Sequence, residues 1–294
     1  MALQNLEVQN TIAGNTSKAV LTVKNIGQNN IDTLIYQMEL NGVTILQDTI
    51  NQTIPFLSTE TIILPEFYPI AGKNQLKVYL INTNNQFFDD NPLNDTIQCE
   101  FFVCDSMLSG IYTIGNNADF IDKEDFENQL LLCGAKDAIT LKLKDGSYSG
   151  SWNLGQWKSA LKQLPLLITS ERENAELVKL TSSQNTIILN DNQNITFENI
   201  TIKNQNAYVV TIQNGAKNIV FNHCKLLSDT TTSSPNKACI YKENDNGLID
   251  SIFLKNSLLN GGYYGFCFEG KLSSIYRTSL YIDSNTFVNQ ANSA

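Results

Sequence analysis

The sequence predicts an all-β chain: a two-sheet β-sandwich over residues 1–104, then a parallel β-helix over 105–294. Three observations carry this. A short phrase recurs as Phe197-Glu-Asn199-Ile-Thr-Ile202, Phe221-Asn-His223-Cys-Lys-Leu226, Leu254-Lys-Asn256-Ser-Leu-Leu259 and Ile282-Asp-Ser284-Asn-Thr-Phe287, with starts 24, 33 and 28 residues apart. Repeats of that size indicate a solenoid, in which no single unit buries its own apolar face. Apolar and β-branched residues alternate with period two, as in Tyr208-Val-Val210-Thr-Ile212, which is strand and not helix spacing. The first hundred residues hold about seven such runs divided by turn residues, the pattern of a sandwich.

In the first part, Ala19, Leu21 and Val23 alternate with polar neighbours. Leu34, Tyr36, Met38 and Leu40 do the same and run into Asn41-Gly42, a hairpin turn signal. Val43, Ile45 and Leu46 follow, then Thr61–Leu64, Leu76–Ile81, and Ile97, Cys99, Phe101 and Val103 on one strand face. The landmarks Val23-Lys-Asn25-Ile-Gly27, Asn41-Gly42, Pro65, Gly72 and Phe88-Asp-Asp-Asn-Pro-Leu-Asn94-Asp95 resemble those of the CARDB domain. That resemblance covers most of residues 3–104. It implies an Ig-like sandwich and a bacterial cell-surface role associated with adhesion. In the loop before the last strand, Asp89, Asp90 and Asp95 are oxygen ligands suited to Ca²⁺. They lack the order of an EF-hand loop, so the alternative is a solvated loop.

From Asp105 the pattern changes. Phe126, Leu130 and Cys133 (or Leu131) lie at helical spacing, and Gly134 is a natural stop. Ile139, Leu141 and Leu143 then alternate as a strand. The order Gly110-Ile-Tyr-Thr-Ile-Gly115, amphipathic helix, strand, Asp145-Gly-Ser-Tyr148 resembles the entry to the pectin-lyase-like right-handed parallel β-helix of large Bacteroidetes surface proteins. The short helix is expected to cap the N-terminal end of the coil stack.

Trp152 and Trp157 follow, in a segment that reads as a loop. Exposed, they stack on sugar rings; buried, they pack beneath the loop. Strands are then expected over Pro165–Ile168, Leu177–Leu180 and the repeated coils from Asn185 onward. The polar position of the repeat suggests an inward ladder at Asn199 and Asn256, with His223 and Ser284 as possible members. Ser228–Pro235 is a polar insertion, and insertions of a solenoid often shape its binding face. Gly261-Gly-Tyr263-Tyr264-Gly265 is a tight turn whose tyrosines are candidates for carbohydrate binding.

Composition narrows the function. The 294 residues carry Lys+Arg 20 against Asp+Glu 29, a net charge of −9. That argues against a nucleic-acid partner, which needs a basic footprint. No membrane-inserting run is visible, and the first residues lack the regions of a signal peptide. The last residues stop in mid-pattern, so the chain is expected to be a fragment of a longer secreted or cell-surface protein. None of the six cysteines forms a CxxC pair, and His223 alone does not make a zinc site. They read as buried thiols, or as one or two disulfides with Cys99–Cys104 the nearest pair.

Hydrolases of this fold place two carboxylates across a cleft, one to protonate the leaving oxygen and one to activate water or attack. The acids available are Glu243, Asp245, Asp250, Glu269 and Asp283. A lyase would need a base such as Lys271 or Arg277 near Asp283, but no lyase motif is matched. His223 falls in the repeated polar position and reads as structural. The sequence therefore favours a non-catalytic module for adhesion or carbohydrate recognition, with an extracellular polysaccharide or cell-surface glycan as partner and no cofactor beyond Ca²⁺. A polysaccharide lyase or glycoside hydrolase, and a structural stalk, are the alternatives.

Overall fold

The computed structural model describes residues 1–9, 12–84, 94–242, 249–268 and 279–292, and the chain divides into two compact units, Met1–Ser106 and Met107–Ala294. The first unit is an antiparallel sandwich. One sheet orders Ala2–Val8, Ala19–Lys24 and Thr59–Ile63. The other orders Val43–Ile50, Leu34–Leu40, Gly72–Thr83 and Thr96–Val103. Alternation decides which side chains go inward. Leu34, Tyr36 and Met38 are buried from one sheet and Ala19, Leu21 and Val23 from the other, in one shared core. The hairpin turns at Asn41 and Gly42, both with positive φ, the backbone that an Asn-Gly turn provides.

The second unit is a parallel β-helix. One sheet stacks Gly146–Ser149, Val178–Thr181, Thr201–Lys203, Lys225–Leu227, Leu258–Asn260 and Thr286–Val288. A longer parallel sheet supplies the rest of each coil. The repeat is a column of register partners on successive strands, Tyr112, Leu141, Ile168, Phe197, Phe221, Leu254 and Ile282, interior from Leu141 to Leu254 and exposed at Ile282. Phe197 and Phe221 are fully buried, and burial of such a side chain stabilises by about 1.5–3 kcal/mol. A second column runs through Leu180, Ile202, Leu226, Leu259 and Phe287. The irregular steps of the repeat arise in the connections. The insertion after Lys225–Leu227 lengthens one coil while Phe221 and Leu254 stay in register.

Helix Lys123–Cys133 covers the start of this core. Asp122 caps it by accepting from Asp125 N–H at 2.9 Å, and Gly134, at φ 69°, closes it by donating to the Leu130 carbonyl at 2.8 Å. Its buried stripe is Phe126, Leu130 and Cys133. Phe126 meets Trp157 edge-on at 5.5 Å, and Trp157 lies 6.0 Å from Trp152. On the polar side, Glu127 accepts from Trp157 Nε1 at 2.8 Å, and buried Lys123 donates to the Ser151 carbonyl at 2.8 Å.

Two expectations are corrected. The repeated polar position does not form an inward ladder. Asn199, His223, Asn256 and Ser284 all take left-handed backbone, at φ 52°, 50°, 49° and 56°, and none is buried. Each marks a corner where the strand bends into the next sheet. Asn tolerates that conformation better than most residues with a Cβ. The backbone ladder runs through these corners, with Asn199, His223 and Asn256 N–H donating to the carbonyls of Asn222, Lys255 and Asp283 on the following coil. The second correction concerns sulfur. Cys99 is a free thiol, so a Cys99–Cys104 bridge does not form; Cys104 and Cys133 are the disulfide-bonded cysteines. Cys224 and Cys239 are buried free thiols whose pKa values burial pushes up to about 12.

Candidate functional site

The outer face of the long sheet carries the most ordered array of polar groups. Because strand side chains alternate, the neighbours of the interior column point outward. The residues just after it form a register-aligned column of Lys142, Thr169, Glu198, Asn222, Lys255 and Asp283, all on the outer face and all at least partly exposed except Thr169, which is buried. The residues just before it form a second, Thr140, Leu167, Thr196, Val220, Phe253 and Tyr281. The face is thus a polar strip beside a strip that becomes aromatic toward Tyr281.

Amide groups tie the polar strip together. Asn222 Nδ2 donates to Glu198 Oε1 at 2.6 Å, and Asn256 Nδ2 donates to Asn222 Oδ1 at 3.1 Å. Phe253 and Tyr281 stack at 4.7 Å with ring planes 9° apart, and Lys255 Nζ lies 5.1 Å from the Phe253 centroid. Stacking along the coil axis covers one face of Tyr281, yet the residue is 51% exposed. Similar amide pairs mark the corner beside this sheet, where Asn218 donates to Asn194 at 2.8 Å and Asn214 to Asn190 at 3.1 Å.

The sequence-predicted residues fare differently. Trp152 and Trp157 are both 0% exposed, so neither ring offers a face to a sugar; they fill the space beneath the capping helix. Tyr263 and Tyr264 meet edge-on at 4.7 Å and are partly exposed. They stand beside the polar insertion, because Gly262 N–H donates to Asp229 O at 2.8 Å and Tyr263 N–H to Lys237 O at 2.6 Å. Gly261 and Gly262 make this approach possible. A Cβ on Gly261 would lie 2.8 Å from Ser228 O, and both glycines have positive φ. The insertion is pinned by Asp229, which accepts from Lys237 Nζ at 2.7 Å and Thr231 N–H at 2.9 Å; these bonds, Lys237 first, pull its pKa down to about 2.

Asp283 sits in the outer polar column, and its carboxylate accepts from Ser284 Oγ at 3.0 Å. Asp250 lies at the corner, 3.9 Å from Lys217 Nζ. His223 is exposed at its corner. Asp95 uses its carbonyl to accept from Leu80 N–H at 2.8 Å. Asp89, Asp90, Glu243, Asp245, Glu269, Lys271 and Arg277 lie outside the described residues. Among the described residues, no three His, Cys, Asp or Glu side chains cluster as a metal site would require.

The two carboxylates of the outer column, Glu198 and Asp283, are three strand spacings apart, about 14 Å. A glycosidase pair needs about 5–10 Å. Of two surface clefts, the smaller brings a pair of carboxylates together. One of about 470 Å³ is lined by Gly155, Lys158, Ser159, Lys162 and Gln163. Another, of about 380 Å³, holds Asp145 and Glu171 beside Lys144 and Arg172, with Asp145 in an ion pair with Arg172 at 3.2 Å.

Sequence reasoning passed over Glu198, Asn222, Lys255 and Tyr281. Their signal was present, since each flanks the apolar residue that opens a copy of the repeat. It becomes legible once the register shows that these flanking positions stack.

No protein-family model matches the chain, and no curated protein matches it. Among solved structures, it is similar to a CARDB domain from Pyrococcus furiosus, described in complex with di-metal ions, at 13% identity and a TM-score of 0.29; the match covers 35% of this chain and 94% of that one. It is also similar to a protein from Archaeoglobus fulgidus, at 14% identity and a TM-score of 0.21, covering 35% of this chain and 98% of that one. A third likeness is to the pectin methylesterase of Aspergillus niger, at 12% identity and a TM-score of 0.34, covering 62% of this chain and 75% of that one.

Proposed function

We propose that this protein is a non-catalytic glycan-binding module that works outside the cell, with the outer face of its long sheet as the binding surface. One observation carries the reading. Glu198, Asn222, Lys255 and Asp283 are aligned in register beside the half-exposed Tyr281 ring, and the two carboxylates of this column stand about 14 Å apart, too far to act as a cleaving pair. Amide, ammonium and carboxylate groups along a straight strip suit the hydroxyls of a polysaccharide, and a ring at its end suits the apolar face of a sugar. The disulfide-bonded Cys104 and Cys133 support an oxidising compartment. No helix among the described residues is long and apolar enough to cross a membrane.

The test is a glycan array run beside reducing-sugar and unsaturated-product assays on the same glycans. Binding without turnover, weakened about tenfold or more by Tyr281→Ala, is the expected result; one stacking contact of about 1–3 kcal/mol corresponds to that factor. Release of reducing ends or unsaturated product would overturn the non-catalytic reading. Absence of binding to every glycan would leave a stalk.

A further inference from the structure

We propose that one end of the N-terminal sandwich, built from the loops 25–31 and 52–58, docks on an uncharged lipid surface, a role separate from the glycan face above. Three apolar side chains stand out in these loops: Ile26 is 48% exposed, Phe56 56% and Leu57 64%. A lone exposed apolar residue is ordinary on a protein surface, but a group of them marks a contact site. The two loops form one structure. Asn25 N–H donates to the Ser58 carbonyl at 3.0 Å, and Phe56 N–H donates to Asn30 Oδ1 at 3.2 Å.

The backbone of Leu57 separates this tip from chance exposure. Pro55, Phe56, Leu57 and Ser58 make a tight turn, closed by Ser58 N–H donating to the Pro55 carbonyl at 3.2 Å. Leu57 is the third residue of the turn and has φ 61°. That position favours Gly or Asn, because a larger side chain strains left-handed backbone. The rest of the chain keeps to the rule. Asn41, Asn84 and Asn199 hold such positions, and among the described residues Leu57 is the one apolar side chain that does. Leucine here adds strain and gains no burial within the chain. Folding therefore gives no reason for it, whereas a contact with an outside surface does.

The tip is formed in advance of that contact. Asn25 is 1% exposed; its amide donates to Asn29 O at 2.8 Å and Ile54 O at 3.0 Å, and its Oδ1 accepts from Gly27 N–H at 3.0 Å. Ile54, just before the turn, is fully buried and anchors it. Docking such a tip costs little ordering entropy. The tip also lies at the end of strand Leu34–Leu40 opposite the Asn41-Gly42 hairpin. The last strand of the sandwich finishes at Val103, paired with Gly72 on the hairpin side, so the chain leaves the sandwich away from the tip.

Composition selects the partner. Loops 25–31 and 52–58 contain no Lys, Arg, Asp or Glu, and Gln28, Asn29, Asn30 and Gln52 are exposed in them. A protein partner would have to supply a matching pocket for a projecting tip. A bilayer interface takes in projecting apolar groups without one, and its headgroups and water satisfy the amides. The carboxylate that follows loop 25–31, Asp32, accepts from Thr53 Oγ1 at 2.7 Å, and the chain carries a net charge of −9. Both disfavour anionic lipid and leave a neutral headgroup as the match.

The experiment is co-sedimentation of the full chain with phosphatidylcholine vesicles and with vesicles that include phosphatidylserine, each at low and high salt. Binding to the neutral vesicles is expected, undiminished by salt, with weaker binding to the anionic ones at low salt. Leu57→Asn and Phe56→Ser should each weaken it about tenfold, the factor for withdrawing one large apolar side chain. Leu57→Asn should at the same time keep or raise the melting temperature, because Asn suits the turn, so its loss of binding is not a loss of fold. Glycan binding should be unchanged in both variants. No sedimentation with neutral vesicles, or sedimentation that both variants leave intact, would overturn the proposal. Binding to anionic vesicles alone, abolished by salt, would overturn it as electrostatic attraction. Self-association that Leu57→Asn abolishes, without vesicle binding, would give the tip to a second copy of the chain and also overturn it.

Discussion

Phe197 and Phe221 stack face to face inside the β-helix, with ring centroids 5.1 Å apart and planes 7° from parallel. They are register partners on adjacent coils, and both are fully buried. The contact therefore ties the repeat in the sequence to the packing of the solenoid. Removing one ring leaves a hole the flat stack cannot close. Phe221→Ala should destabilise the chain by about 3–5 kcal/mol, and Phe221→Leu by less than about 1.5 kcal/mol, read from chemical denaturation. Equal, small losses for both would show that the column does not carry the stability of these coils.

The corners predict an unusual substitution pattern. His223 is exposed and holds φ 50°, so its imidazole matters less than its backbone. His223→Gly should be neutral or stabilising, whereas His223→Val should cost about 1–2 kcal/mol by thermal melting, because a β-branched residue resists left-handed backbone.

A third expectation concerns the polar insertion. Gly261→Ala forces a Cβ to within 2.8 Å of Ser228 O at φ +79°. The backbone strain alone should cost about 1–3 kcal/mol, and the loop would have to lift away from Tyr263. Faster hydrogen exchange at the Gly262 and Tyr263 amides, which bond the insertion, would report it; unchanged protection would argue that the loop is held elsewhere.

The cysteines make a fourth. Unfolded without reductant, the protein should titrate four thiols, and six after reduction. Folded, Cys224 and Cys239 should resist alkylation at neutral pH, since the thiolate is the nucleophile and burial holds both at about 12. The linkage sign follows. Their folded pKa values lie above the ordinary thiol value of 9.0, so the native state keeps protons that the unfolded chain releases. Stability from this source is complete below about pH 9 and declines as pH rises toward about 12; Tyr36 and Tyr148, also raised to about 12, act in the same direction. Replacing both cysteines with Ala should flatten part of that alkaline decline in a melting-temperature profile.

Much of this architecture is local and so was readable in advance. Period-two burial along Leu34–Leu40, the Asn41-Gly42 turn, the capping helix with Gly134 behind it, and the stacking of Phe197, Phe221, Leu254 and Ile282 all follow from side-chain alternation and turn chemistry between near neighbours. The polar residue of the repeat was legible as a regularity, but its role was misassigned. Asn is common to stacked ladders and to left-handed corners, and only the backbone angle distinguishes them.

What the chain alone determined is which faces are apolar and how often they recur, because periodicity is a property of consecutive residues. Only the tertiary structure decided which residues from different coils meet. Register across strands turned Glu198, Asn222, Lys255 and Asp283 into one outer column, and burial removed Trp152 and Trp157 from the surface. Both outcomes depend on where distant segments stack, and spacing along a single strand carries no information about its neighbour.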